Sequence, residues 1–316
     1  MLELMKELGF IPESRVVKLY RLNDKVVGER YDKVTYLREV LPDLDLTVEE
    51  PVYVESGRFL PLIPFIQSAT ARDNYLQVIL RNGAEYKFPY IEIEFSRPEV
   101  PDIAPSIQIE GEIDLSILKK TALQNLVKPE MRCIYVDRNG AVSCNFLQGT
   151  VDKGLKSQNP ILLPPDLIDY MQSGERGMIC TIGDLLFYTN RSTKWIWAPK
   201  SELEQSEDEE VPWYKSIYEQ SNAAALQNLL SDIPAGIEDS LKRLQFFGTE
   251  AVFYADKIMA GENFEPVAIP SAVGGVYTLE EVVSVIPFAK QVAFFNSAMY
   301  LKNGDVTILV SEKEEE

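Results

Sequence analysis

Histidine is absent from the chain. That excludes Ser-His-Asp and Cys-His nucleophilic catalysis, histidine metal sites and the commonest general base. Cysteine is scarce: Cys133, Cys144 and Cys180 are odd in number and each lies in a strand-like apolar run. This suits small buried thiols in a reduced, cytoplasmic protein rather than a disulfide framework. No apolar run reaches membrane-helix length, and the opening Met1–Glu7 lacks the basic and apolar regions of a signal peptide. The phosphate-cradling G-x-x-x-x-G-K-[ST] loop, G-x-G-x-x-G after a strand and C-x-x-C are missing too. Carboxylates are plentiful, but they lie mostly in solvated runs such as Glu207–Glu210 and Glu314–Glu316, with no spacing that converges a pair. The expectation is a protein without catalytic residues, metal or cofactor.

What is present is a long, acidic, apolar-rich chain. Its 316 residues suit two or three domains, and an apolar share of 46% supports a globular fold. A net charge of −18 argues against a surface that binds nucleic acid all over, though it leaves room for a single basic face.

The middle stretch is the clearest. Leu115, Leu118, Ala122 and Leu126 recur at helical spacing over 114–127 and Pro129 ends the run. Arg132–Val136, the turn at Asp137–Gly140 and Ala141–Phe146 read as a hairpin. Pro160–Leu163 leads into a second helix over 164–171, and the strands Gly177–Ile182 and Leu185–Thr189 follow. Helix and hairpin recur on either side. Before it come a short helix over 2–8, a hairpin about Asn23–Asp24, extended segments at Leu46–Glu50 and Val52–Glu55, a proline-weakened helix over 58–67 and a hairpin about Asn82–Gly83, whose second strand runs from Tyr86 to Phe95. After it come a helix over 221–231, a hairpin formed by Leu241–Phe247 and Ala251–Ala255, a helix over 278–286 with Thr278 and Glu281 as a capping box, and a last hairpin about Asn303–Gly304. The helix starts at 114 and 221 are separated by 107 residues (221 − 114). Such a period reads as three copies of one module: 1–105, 106–210 with an acidic linker, and 211–316 with an acidic tail.

The order helix, hairpin, strand, helix, hairpin over 113–200, ending on Ser192-Thr-Lys-Trp-Ile-Trp-Ala-Pro199, resembles a domain of a DNA polymerase sliding clamp, most of all those of tailed phages. The resemblance implies an α+β fold of repeated modules, each with two helices on antiparallel sheets, closing into a ring. It also implies a processivity factor that encircles duplex DNA without reading sequence, tethers a replicative polymerase and recruits replication factors by peptide motifs. A separate ATP-dependent loader would open the ring. Known rings have six modules, so three modules per chain imply a head-to-tail homodimer. If 1–105 is an added domain instead, a trimer is implied.

On helix 114–127, Ser116, Lys120, Gln124 and Lys128 share a stripe with Lys119 beside it, as phosphate contacts or an ordinary solvated face. Arg176 and Lys290 follow the other helices and offset Asp166, Asp169, Glu280 and Glu281 there. The polar side of 221–231, with Ala224, Gln227, Asn228 and Ser231, suits a water-filled hole or any surface. Trp195 and Trp197 alternate on one strand face, as core or as a partner groove. By resemblance the groove lies beside the interdomain linker, whose end is Val211, Pro212, Trp213 and Tyr214. Because basic residues are sparse, a competing reading stays open: a clamp-like scaffold that assembles proteins and never touches DNA.

Overall fold

The computed structural model describes residues 16–31, 35–42, 44–93, 104–122, 132–145, 147–171, 174–200 and 213–313. The expected helix over 2–8, the second half of helix 114–127, with Gln124 and Lys128, and the linker positions Val211 and Pro212 lie outside them.

The first part holds β1 (Val16–Leu22), β2 (Lys25–Tyr31), β3 (Tyr36–Val40), β4 (Leu46–Thr47), β5 (Val52–Glu55), α1 (Ser56–Phe59), β6 (Ile66–Ala71), β7 (Tyr75–Leu80) and β8 (Glu85–Pro89). The middle holds β9 (Ser106–Ile113), α2 (Ser116–Ala122), β10 (Ile134–Val136), β11 (Ala141–Cys144), β12 (Gln148–Asp152), β13 (Ile161–Leu163), α3 (Pro165–Tyr170), β14 (Glu175–Ile182), β15 (Leu185–Thr189) and β16 (Lys194–Pro199). The last part holds α4 (Trp213–Ser221), α5 (Ala224–Leu229), β17 (Ser231–Asp232), α6 (Ile237–Leu244), β18 (Glu250–Tyr254), β19 (Ile258–Ala260), β20 (Asn263–Glu265), β21 (Val273–Thr278), α7 (Leu279–Val285), β22 (Gln291–Phe295), β23 (Ala298–Asn303) and β24 (Val306–Ser311).

The chain packs as two compact units. One comprises 1–112, 169–171 and 175–200, and the other 113–168, 172–174 and 201–316. Each carries one eight-stranded and one four-stranded sheet. In the first unit the orders are β5-β1-β2-β3-β16-β15-β14-β9 and β4-β6-β7-β8; in the second they are β13-β10-β11-β12-β24-β23-β22-β17 and β20-β19-β18-β21. The two large sheets repeat one plan: a hairpin, a third strand, then three strands from a later part of the chain. The middle stretch contributes strands to both.

Local chemistry explains the elements. Asn23 and Asp24 take φ of 49° and 62°, which closes the β1–β2 hairpin; left-handed turns of this kind suit Asn and Asp. Alternation in β7, with Leu76, Val78 and Leu80 buried, puts one face into the first unit's core beside Val17, Leu19, Val54 and Phe59. In the second unit α6 and α7 bury Leu241, Leu244, Val282 and Val285 with Phe253, Ile258 and Phe294. Apolar burial at about 25 cal/mol per Å² is the main stabilising contribution in both cores.

Several expected elements change. The helix over 58–67 shrinks to α1 plus a 3-10 turn over Leu60–Phe65, because Pro61 and Pro64 cannot donate to an α-helical ladder. The strand from Tyr86 to Phe95 ends as β8 at Pro89. Of the helix over 221–231 only Ala224–Leu229 forms, as α5: Ser221 ends the preceding α4, the Asn222 side-chain amide donates back to the Tyr218 carbonyl at 2.7 Å, and Ser231 enters β17. Leu241–Phe247 is not a strand: Leu241 and Leu244 fall on one side of α6, and Phe246 follows its end. Thr278 is the N-cap of α7 but makes no side-chain cap bond, so the capping box does not form.

Candidate DNA-facing helices and partner surface

Asp114 Oδ1 accepts from the Ser116 amide at 2.9 Å and so starts α2. Leu115, Leu118 and Ala122 are buried, as the spacing requires. The opposite side leaves Lys119 half-buried and Lys120 exposed. Lys120 does not simply point to solvent. Its ammonium donates to the Ser284 carbonyl at 3.2 Å and stands 4.6 Å from the centre of the Phe288 ring. One charge thus ties α2 to the end of α7, a cation–π contact worth about 0.5–1 kcal/mol where exposed. Gln148 Nε2 ties α7 to β12 through the Glu281 carbonyl at 3.0 Å.

Lys290 is exposed just before β22, held by its amide to the Lys302 carbonyl at 2.9 Å. Arg176 is exposed on β14 of the first unit. In α6, the helix the sequence reading missed, Lys242 pairs with Glu238. Arg243 grips Glu265 through Nε at 2.8 Å and Nη2 at 2.7 Å. That guanidinium and Ser240 hold the Glu265 carboxyl below its usual range. Burial, then the neighbouring Glu280, pushes Glu281 up. Asp152 is also raised, first by burial and then by Asp305 and Asp114, against the backbone bonds from Gly154 and Leu155. Cations and carboxylates are therefore interleaved on these helices.

Trp195 and Trp197 share one face of β16, as expected. Trp195 lies under the Arg38 guanidinium at 5.2 Å, and Trp197 packs against Tyr36 at 5.0 Å and Phe187 at 4.9 Å. Both are half-buried, packed in the sheet surface rather than in the core. Trp213 and Tyr214 belong to the other unit. They begin α4 and pack on Cys133, Tyr135 and Leu162 of the large sheet, with the Tyr214 ring stacked 3.6 Å from that of Tyr135.

The sequence reading also missed an apolar edge. Phe246 is 87% exposed and Phe247 58%, and Phe264 stands exposed on β20, an edge strand beside α6. In the first unit, edge strand β8 carries Tyr86 opposite the fully buried Val78, yet Tyr86 is 45% exposed. A core-facing aromatic left open at a sheet edge is a mark of an unfinished interface. The only sequence signal was the Phe246-Phe247 pair itself, absorbed into the mistaken strand.

An eight-stranded and a four-stranded antiparallel-rich sheet with short packed helices, present in each unit, is the arrangement of the sliding-clamp fold. Compared with solved structures, the chain matches the Helicobacter pylori beta clamp bound to a DNA ligase peptide at 13% identity and TM-score 0.64, covering 95% of this chain and 92% of that one. It matches the Streptococcus pneumoniae DNA polymerase III beta chain at 10% identity and TM-score 0.66, covering 96% and 93%. The Pseudomonas aeruginosa DNA polymerase sliding clamp matches at 13% and 0.64, with the same coverage. These are bacterial clamps, and the tailed-phage likeness finds no support among them. No family model matches the sequence. No curated protein matches it either.

Proposed function

We propose that this chain is a DNA sliding clamp: a closed ring around duplex DNA that tethers a replicative polymerase and recruits replication factors through peptide motifs. The observation that carries the reading is the length of the fold match, 95% of this chain on 92% of a beta clamp. A likeness of that span extends over nearly the whole chain and not over one part alone. The reading assigns no chemistry to the protein, and a separate ATP-dependent loader opens the ring. One of the matching clamps holds a DNA ligase peptide, which favours peptide-borne partners here as well.

In this reading Lys119, Lys120, Gln124, Lys128, Arg176 and Lys290 contact phosphates. With cations and carboxylates interleaved, binding is weak and sequence-blind, and retention comes from topology rather than affinity. Trp195, Trp197, Val211, Pro212, Trp213 and Tyr214 border partner surfaces. The open edges at β8 and at α6–β20 are where copies join head to tail, since a heterologous contact that closes makes a ring.

The test uses rings allowed to close around a nicked circular plasmid and then freed of unbound protein. Protein should co-elute with circular DNA at moderate salt and be lost when one restriction cut makes the DNA linear. Equal retention before and after cutting, or none on the circle, sinks the reading in favour of a scaffold.

A further inference from the structure

We propose that α4 is a built-in occupant of the partner groove, a strap that a partner peptide displaces. The proposal rests on the clamp reading for the existence of peptide partners. Its own evidence is the packing of α4.

The face of the second unit's large sheet opposite the α6–α7 core has a notch. Gly149 on β12 faces Leu309 on β24, and a Cβ on Gly149 would stand 3.0 Å from Ile217 Cγ2. The notch is thus filled from α4 and not by the strand's own side chain. On the corresponding strand pair of the first unit, β3 and β16, Arg38 faces Trp195 and Tyr36 faces Trp197, so that surface is filled by the strands' own side chains. Next to the notch, Cys133, Tyr135 and Leu162 form an apolar bed for Trp213 and Tyr214. The three anchors Trp213, Tyr214 and Ile217 therefore spell a short recognition pattern: two adjacent aromatics, then an aliphatic residue three further on.

The strap is lightly held. Only Ser221 of the nine residues in α4 is buried, while Trp213, Tyr214 and Ile217 are half-buried. An isolated helix this short is marginal, so it persists only through what it covers. α4 begins three residues after the acidic stretch Glu207–Glu210. Elements with few buried contacts and a short ladder open locally at low cost. A partner that presents the same pattern to the same bed competes with a tethered copy, and its apparent affinity falls by the fraction of time the strap is open. Asp137, whose carboxylate accepts from the Tyr135 hydroxyl at 3.4 Å, lies at the aromatic end and favours a basic residue there on the partner. The occupant is accordingly a linear peptide with an aromatic pair, an aliphatic anchor and a basic flank.

The probe is a fluorescein-labelled peptide of residues 211–219, added to the full-length chain and followed by anisotropy. Ile217→Asp in the protein unseats the strap and should tighten binding of the wild-type peptide by about tenfold or more. The same substitution in the peptide should abolish binding. Equal affinity for wild-type and I217D protein overturns the proposal. Hydrogen exchange on the unaltered chain gives a second reading that needs no variant: α4 amides should exchange about 100-fold faster than those of β12. Matched protection overturns the strap. Ring mass and retention on circular DNA are measured in parallel; their loss in wild-type protein refutes the clamp reading and leaves the exchange result to judge the strap.

Discussion

Tyr188 shows how little room single residues have. It is fully buried on β15, and the ring reaches across to Gly177, where a Cβ would stand 2.5 Å from Cε2. Gly177→Ala must push a core ring aside, and overpacking of that kind costs about 1–3 kcal/mol, read as a lower urea midpoint with unchanged slope. Asp152 carries the opposite sign. Its folded pKa lies above the ordinary 3.8, so the folded state holds that proton more tightly and stability falls as pH rises through the raised value. Asp152→Asn keeps an oxygen for the Gly154 amide, now at 2.8 Å, and removes the repulsion from Asp305. The variant should match or exceed wild-type stability near neutral pH, and the difference should fade below about pH 4, where both states bind the proton; melts at the two pH values check it. Lys120 and Lys290 differ in the same spirit. The first is engaged by Phe288 and Ser284, while the second is exposed. Lys290→Ala should lower the salt slope of DNA retention by about 1, and Lys120→Ala by less, in salt titrations on circular DNA.

At the scale of elements, hairpins were the most legible feature. The turns at Asn23–Asp24 and Asn82–Gly83 and the strands around Leu185 fell where alternation and turn residues put them, because both signals are local. The strands β3, β9 and β12 escaped notice: β9 pairs only with the distant β14, while β3 and β12 each lie between one local partner and one far along the chain, β16 and β24. The gravest miss was α6. Leu241-Lys-Arg-Leu-Gln-Phe-Phe offers as many apolar residues to a two-residue period as to a helical one. Packing decides: Ile237, Leu241 and Leu244 reach one core with Val282 and Val285. Leu241→Ala and Leu244→Ala should then both cost about 2–5 kcal/mol, while Lys242→Ala leaves stability close to that of wild type. In a strand, Leu241 and Leu244 would face opposite sides, so a large loss at only one of them in chemical denaturation contradicts the helix. The candidate site was legible to a similar degree. The basic stripe of α2 and the Trp195–Trp197 face were visible as spacing, whereas the Gly149 notch and the seat of Tyr214 on Tyr135 depend on strands brought together from 133 to 309 and had no local signal.

For the whole molecule, the decisive quantity is how many chains complete the proposed ring. Phe246 and Phe247 project from the end of α6 beside edge strand β20, and Tyr86 stands open on edge strand β8. Two large phenyl rings in water are costly, and a joined edge would also satisfy the backbone groups that an edge strand leaves unpaired. A chain with one such edge in each unit can join another head to tail at both ends. On the proposed three-module reading, two copies supply the six modules of a ring. Light scattering at micromolar concentration should give a mass near twice the 35.8 kDa of one chain; a mass near three times that value refutes the three-module count. Phe246→Asp with Phe247→Asp should convert the ring to single chains, because a buried carboxylate without a partner costs several kcal/mol at each of two identical joints. Since both side chains are exposed in the single chain, the variant should keep the wild-type far-ultraviolet circular dichroism and melting cooperativity. It should also lose retention on circular DNA completely, as an open ring has no topological hold. A variant that stays double in mass would place the joint elsewhere on the surface, and one that loses its fold would show the two phenylalanines to be core.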